Sequence, residues 1–131
     1  MAIILVVDDQ PVTQRLLSAQ LRKNGHLVET ASGGREALER LQEAAFDLAI
    51  LDIAMPEMDG LTLLKLLRAD PRYAALRIVM LTASGQDEDR ETAQAAGADA
   101  FLNKPTSSWE LAETVNRVMG RSDKNVDSRR K

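Results

Sequence analysis

Three aspartates, a threonine and a lysine stand at the ends of four short apolar runs, and their chemistry suits a charged oxygen-rich group such as a phosphoryl. Asp8 and Asp9 follow Ile3–Val7, Asp52 follows Leu48–Leu51, Thr82 follows Ile78–Leu81, and Lys104 lies just past Ala100–Leu102. If these runs are neighbouring parallel strands, their C-terminal ends share one edge, where the carboxylates, the hydroxyl and the ammonium meet. Carboxylates so crowded repel by roughly 4 kcal/mol per pair at ~4 Å and an effective dielectric of ~20. A cation among them relieves that repulsion. Mg²⁺ is the candidate, because it takes oxygen ligands and leaves positions open for a phosphoryl group. Singly, each residue has a plainer reading. An Asp pair after a strand commonly caps a helix, Asp52 alone could sit in a turn, and Lys104 alone could be a solvated charge.

The elements that must bring these residues together alternate between strand and helix. After the first strand, Pro11 suits the first turn of a helix. Val12, Leu16 and Ala19, with Leu17 and Leu21 alongside, then recur at three- and four-residue spacing until Asn24-Gly25. Leu27–Ala31 is a short second strand, and Ala37, Leu38 and Leu41 mark a second helix up to about Ala45. Leu48–Leu51, apolar on both faces, reads as a central parallel strand. Asp59-Gly60 opens a leucine-rich third helix whose leucines are expected in the core, and Asp70-Pro71 breaks it. Ile78–Leu81 is a fourth strand, Asp87–Ala96 a weakly apolar helix, Ala98–Leu102 a fifth strand and Glu110–Met119 a final helix. Strands and helices in this order specify an α/β fold, an open and mostly parallel sheet covered on both sides. Such sheets bind ligands at the C-terminal strand edge.

Composition narrows the function further. The 131 residues suit one domain, with 44% hydrophobic and 28% charged residues and no apolar run near the ~20 residues of a membrane span. The absence of cysteine excludes disulfides and thiol chemistry and fits a cytoplasmic location. Residues 120–131 hold five Lys/Arg against two Asp, so this segment is basic and the body acidic. The acidic body argues against nucleic-acid binding, and the tail reads as a flexible terminus or linker stub. No glycine-rich phosphate-binding loop occurs.

The chain resembles the receiver domain of bacterial two-component response regulators from about Ile3 to Met119. The resemblance rests on Val7-Asp8-Asp9, the run from Leu51 through Gly60, Leu81-Thr82-Ala83, Gly97-Ala98-Asp99-Ala100-Phe101 and Lys104-Pro105. It implies a five-stranded parallel sheet in the order 2-1-3-4-5, flanked by five helices, with the receiver domain over 1–119. It implies that Asp52 accepts a phosphoryl group from a phosphohistidine on a sensor histidine kinase or histidine phosphotransfer protein. Asp9, Asp52 and the Ala54 backbone carbonyl would ligate Mg²⁺, with Asp8 acting mostly through water. Lys104 and Thr82 would contact phosphoryl oxygens. Thr82 and Phe101 would then change the surface of the fourth helix, fifth strand and fifth helix toward a downstream partner, an output domain or a second copy. Catalysis would be limited to the domain's own phosphorylation and dephosphorylation.

Phe101 lacks the hydroxyl many members carry there, and the small Ala54 and Ser84 imply a short to moderate phosphoryl lifetime. Pro105 is expected to follow a cis bond. His26 is expected in a loop far from the acidic edge, and Trp109 in packing or, as the second reading, in a partner contact. The alternatives are an aspartyl-phosphate phosphatase of the haloacid dehalogenase type and an interaction domain independent of phosphorylation. The first normally carries its nucleophile in Asp-x-Asp after the first strand, a spacing that Asp8-Asp9-Gln10 lacks.

Overall fold

Strands without a polar face need cover on both sides, and this sheet has it. The structure, a computed structural model, describes residues 1–83 and 87–130, and of residues 87–89 and 121–130 the backbone only. The strands are β1 (Ile3–Val7), β2 (Leu27–Ala31), β3 (Leu48–Asp52), β4 (Arg77–Ala83) and β5 (Ala100–Lys104). The helices are α1 (Pro11–Lys23), α2 (Gly34–Glu43), α3 (Gly60–Ala69), α4 (Asp87–Ala95) and α5 (Ser108–Arg130). All strand pairs are parallel, in the order β2-β1-β3-β4-β5. The expected fold and strand order are therefore borne out.

Alternate strand residues point to opposite faces, which builds two cores. Leu5, Val7, Leu51 and Met80 pack with Leu63, Leu64 and Leu67 of α3 on one side. Ile4, Val6, Ile50 and Leu81 pack with Leu17 and Leu21 of α1 and with Leu111, Val115 and Val118 of α5 on the other. Each fully buried side chain of this kind contributes about 1.5–3 kcal/mol.

Several elements depart from the expected boundaries. Strand β5 begins at Ala100 rather than Ala98, because Gly97 takes a positive φ of 107° and the Asp99 side chain is tied to β4 and α3. The Asp99 carboxylate accepts the Ile78 N–H at 2.8 Å and pairs with Arg68 at 3.0 Å, while Arg68 also donates to Gly97 O, Tyr73 O and Leu76 O. Strand β5 runs to Lys104, and β4 likewise extends through Thr82 to Ala83. Helix α5 continues past Met119 to Arg130, so helical backbone occupies part of the segment expected to be a flexible tail. After Gly120 that segment contains neither Gly nor Pro to end a helix. On α1 the buried residues are Leu17, Ser18 and Leu21, whereas Val12 and Leu16 are 59% and 61% exposed and Ala19 is exposed as well. In α3, Leu66 is exposed while Leu63, Leu64 and Leu67 are core.

Candidate functional site

Parallel pairing in register carries the polar strand ends to one edge. Asp8 directly follows β1 and is fully buried, with Oδ1 accepting the Gln10 N–H at 2.8 Å. Asp52 ends β3 with 3% exposure, its Oδ1 accepting the Ala54 N–H at 3.2 Å. Lys104 reaches back from the end of β5, its Nζ lying 2.9 Å from Asp8 Oδ2 and 3.1 Å from Asp52 Oδ2. Among the described residues Asp8 Oδ2 receives no other polar contact, so that buried oxygen depends on the ammonium. Asp8, Asp9 and Asp52 each offer a carboxylate oxygen within 4.8 Å of the others. Asp9 is exposed and opens the cluster to solvent.

The charges leave their mark on titration. Burial raises the Asp52 pKa above the usual carboxylate value, and the neighbouring Asp8 charge adds to this against the opposing hydrogen bond from Lys104. For Lys104, burial is the largest single influence and acts downward, but Asp8 and Asp52 together outweigh it and raise the value. Burial sets the direction for Asp52, whereas the two anions around one ammonium set it for Lys104. Lys104 gains two anions, while Asp52 gains half a cation and an adjacent like charge.

The loop after β3 is held tightly. The Gly60 N–H donates to Ile53 O at 2.8 Å, and a Cβ at Gly60 would run into the Asp52 carbonyl oxygen and lie 2.8 Å from Ile53 Cα. Only glycine lets α3 start this close to the strand end that carries Asp52. Asp59 caps the same helix, its Oδ1 accepting the Thr62 N–H at 2.8 Å, an arrangement worth about 1 kcal/mol. A cleft of about 630 Å³ adjoins the cluster, lined among others by Asp9, Asp52, Ala54, Lys104, Leu16 and Pro105. A larger cleft of about 750 Å³ lies at the other end of the sheet, where Asp47, one of its walls, is engaged with the Ile3 N–H.

Asp8, Asp9, Asp52 and Lys104 thus come together, with Ala54 on the same cleft, and the Lys104–Pro105 peptide is cis. Thr82 is buried, but its Oγ1 donates across the sheet to Asn103 Oδ1 at 3.2 Å. Phe101 is half-buried, with the Arg90 guanidinium 5.0 Å from its ring centre. Ser84 lies outside the described residues. His26 sits at the opposite strand edge, as expected, its Nδ1 accepting the Ala2 N–H at 3.0 Å. Trp109 is 69% exposed, which corrects the packing reading, because it falls off the Leu111, Val115 and Val118 face of α5. Sequence reasoning missed Gly60 as a close-approach residue and missed both Asn103 and Arg90. The position of Asn103 opposite Thr82 follows only once the β4–β5 register is known.

Comparison with known proteins agrees with this geometry. Residues 4–116 match the family described as the response regulator receiver domain. An uncharacterised 14.6 kDa protein from the sodA1 3′ region of Leptolyngbya boryana is 40% identical over 114 residues, covering 87% of each chain. The Vibrio cholerae chemotaxis protein CheY4 superposes with a TM-score of 0.85 at 39% identity, over 90% of this chain and 98% of that one. NtrX from Brucella abortus gives a TM-score of 0.89 at 30% identity, over 97% of this chain but 28% of NtrX. The chain spans about half the length of other curated relatives, such as GltR of Pseudomonas aeruginosa at 49%, and 15% of a gliding motility regulatory protein of Myxococcus xanthus. The chain belongs to the response regulator receiver-domain family, the phosphoacceptor signalling modules of two-component systems. The phosphatase alternative finds no support among these matches. No helix among the described residues is long and apolar enough to cross a membrane.

Proposed function

We propose that this domain accepts a phosphoryl group on Asp52 from a phosphohistidine of a sensor histidine kinase or histidine phosphotransfer protein, with Mg²⁺ held by Asp9, Asp52 and the Ala54 carbonyl and Asp8 acting through water. The observation that carries this reading is the convergence of three carboxylates within 4.8 Å of one another, two of them paired with Lys104. Three carboxylates and one ammonium leave two net negative charges at neutral pH, which one divalent cation cancels. The donor set is all oxygen, as a hard cation requires. When bound, Mg²⁺ offsets the repulsion between the acidic pocket and the incoming phosphoryl oxygens.

The chain's own groups do the rest. A carboxylate oxygen of Asp52 attacks phosphorus, the bond from phosphorus to the donor's imidazole nitrogen breaks, and the electron pair leaves with that nitrogen. The Lys104 ammonium exchanges its carboxylate partners for phosphoryl oxygens. The Thr82 hydroxyl donates to another of these oxygens, and Phe101 moves with it, altering the α4, β5 and α5 surface that meets a downstream partner, an output domain or a second copy. Exposed Leu16 lines the cleft, with exposed Val12 one turn away on the same helix, and offers the donor an apolar landing surface. A cytoplasmic setting accords with this role.

Acetyl phosphate with Mg²⁺ tests the proposal. The expected result is one label per chain, absent from Asp52→Asn. Label retained by that variant, or found on His26, would contradict it.

A further inference from the structure

The Thr82 hydroxyl has one proton to donate, and in this structure Asn103 receives it. Thr82 and Asn103 are directly paired between β4 and β5, and the Oγ1–Oδ1 distance is 3.2 Å. Thr82 is 1% exposed, so its hydroxyl cannot turn to bulk water for a partner. Asn103 is exposed, and its carboxamide can be rehydrated when the hydroxyl leaves. The two ends of the bond therefore differ: losing it costs the buried donor more than the acceptor.

We propose that Asn103 is a positioning residue that keeps the Thr82 hydroxyl engaged with β5 in the unphosphorylated domain and thereby sets the threshold of the switch. This rests on the reading of Thr82 given under the proposed function. For Thr82 to contact a phosphoryl oxygen, its donor bond to Asn103 must break, and a neutral bond is exchanged for one to a charged acceptor, which is stronger. The exchange favours the phosphorylated arrangement, but by less than it would if the resting hydroxyl had no acceptor. Asn103 stabilises the resting state alone, so removing it shifts the population toward the switched state.

Beryllium fluoride with Mg²⁺, a stable mimic of a phosphoryl group on a carboxylate, measures the effect, with occupancy read by fluorine NMR. Asn103→Leu keeps the approximate size of the side chain and removes the acceptor. Its half-saturating beryllium fluoride concentration should fall roughly 2- to 12-fold, the range for one neutral hydrogen bond. In a Thr82→Val background, where no hydroxyl competes, the same Asn103→Leu change should leave half-saturation unaltered. That dependence on the hydroxyl distinguishes positioning from simple packing, which would act alike in both backgrounds.

An unchanged half-saturation in Asn103→Leu, or an equal shift in both backgrounds, overturns the assignment of Asn103 while leaving Thr82 as the switch hydroxyl. If Thr82→Val alone binds beryllium fluoride like the wild type, the role of Thr82 falls and the role of Asn103 falls with it.

Discussion

Replacing Lys104 by methionine removes the ammonium while retaining most of the hydrocarbon, and it isolates what that charge does in the metal-free pocket. The two carboxylates it bridges are 0% and 4% exposed at the side chain, and the lysine itself 23%. Removing one partner of a fully buried pair costs about 3–5 kcal/mol, whereas exposed pairs contribute about 0–1 kcal/mol. A partly exposed cation between two buried anions falls between these limits, so we expect a loss of about 2–3 kcal/mol. For a domain of this size that corresponds to a melting temperature lower by about 10 °C. Mg²⁺ should have the reverse preference. With the competing ammonium gone, the carboxylates bind it at least ~10-fold more tightly, which adds about 1.4 kcal/mol of stabilisation at a fixed saturating concentration. Thermal unfolding followed by circular dichroism, with chelator and then over a MgCl₂ titration, reads both effects. If Lys104→Met melts like the wild type in chelator, or if Mg²⁺ raises both melting temperatures equally, the ammonium is not what holds Asp8 and Asp52 together.

Other substitutions probe the parts around that cluster. Gly60→Ala places a methyl against the Asp52 carbonyl, and it should cost about 1–3 kcal/mol in urea unfolding and slow labelling by acetyl phosphate, because the strand end must shift. Burial, together with the N-terminal charge, lowers the His26 pKa, and its Nδ1 accepts a backbone N–H, so folding favours the neutral ring. The stability it contributes is complete above its unfolded value of about 6.5 and is lost as pH falls through the lower folded value. The difference in urea midpoint between wild type and His26→Ala should accordingly shrink below about pH 6.5, and a difference that stays constant with pH would show that folding does not favour the neutral ring. Arg90→Ala removes the cation over Phe101, an interaction worth about 0.5–1 kcal/mol at exposed sites. The Phe101 ring resonances of the unphosphorylated variant should then move part of the way toward their phosphorylated positions, and unchanged resonances would show that Arg90 does not restrain the ring.

The fold was readable where burial leaves a chain few choices. Strands β1 and β3 are covered on both faces, so Ile4 through Val7 and Leu48 through Leu51 had to be continuous apolar runs. The polar residue ending each run marks the edge where burial stops, and this made the acidic cluster recoverable from spacing alone. The strand ends were less readable. Asp99 reads as one more residue of β5 until its carboxylate is seen holding the Ile78 N–H and Arg68, contacts reached across 21 and 31 residues of sequence. Asn103 was invisible for the same reason, since its partner lies on another strand.

Helix α1 forms where expected, but its spacing does not say which of its apolar residues are buried. Its apolar residues form two stripes: Leu17 and Leu21 face the sheet, while Val12 and Leu16 face solvent. Periodicity cannot rank one stripe above the other, because both have helical spacing. The helix has only one side against the sheet, so the second stripe exceeds what the core requires. Exposed apolar side chains scattered singly need no explanation, but Leu16 lines the same cleft as Asp9, Asp52 and Lys104. Removing apolar surface from water there can be recovered only by something that docks beside the carboxylates. Under the proposed function, a donor presenting a phosphohistidine docks at that place so that Asp52 can reach its phosphorus. Leu16, which the core does not use, thus stands beside the carboxylates, as expected when local pattern and fold disagree at a functional surface.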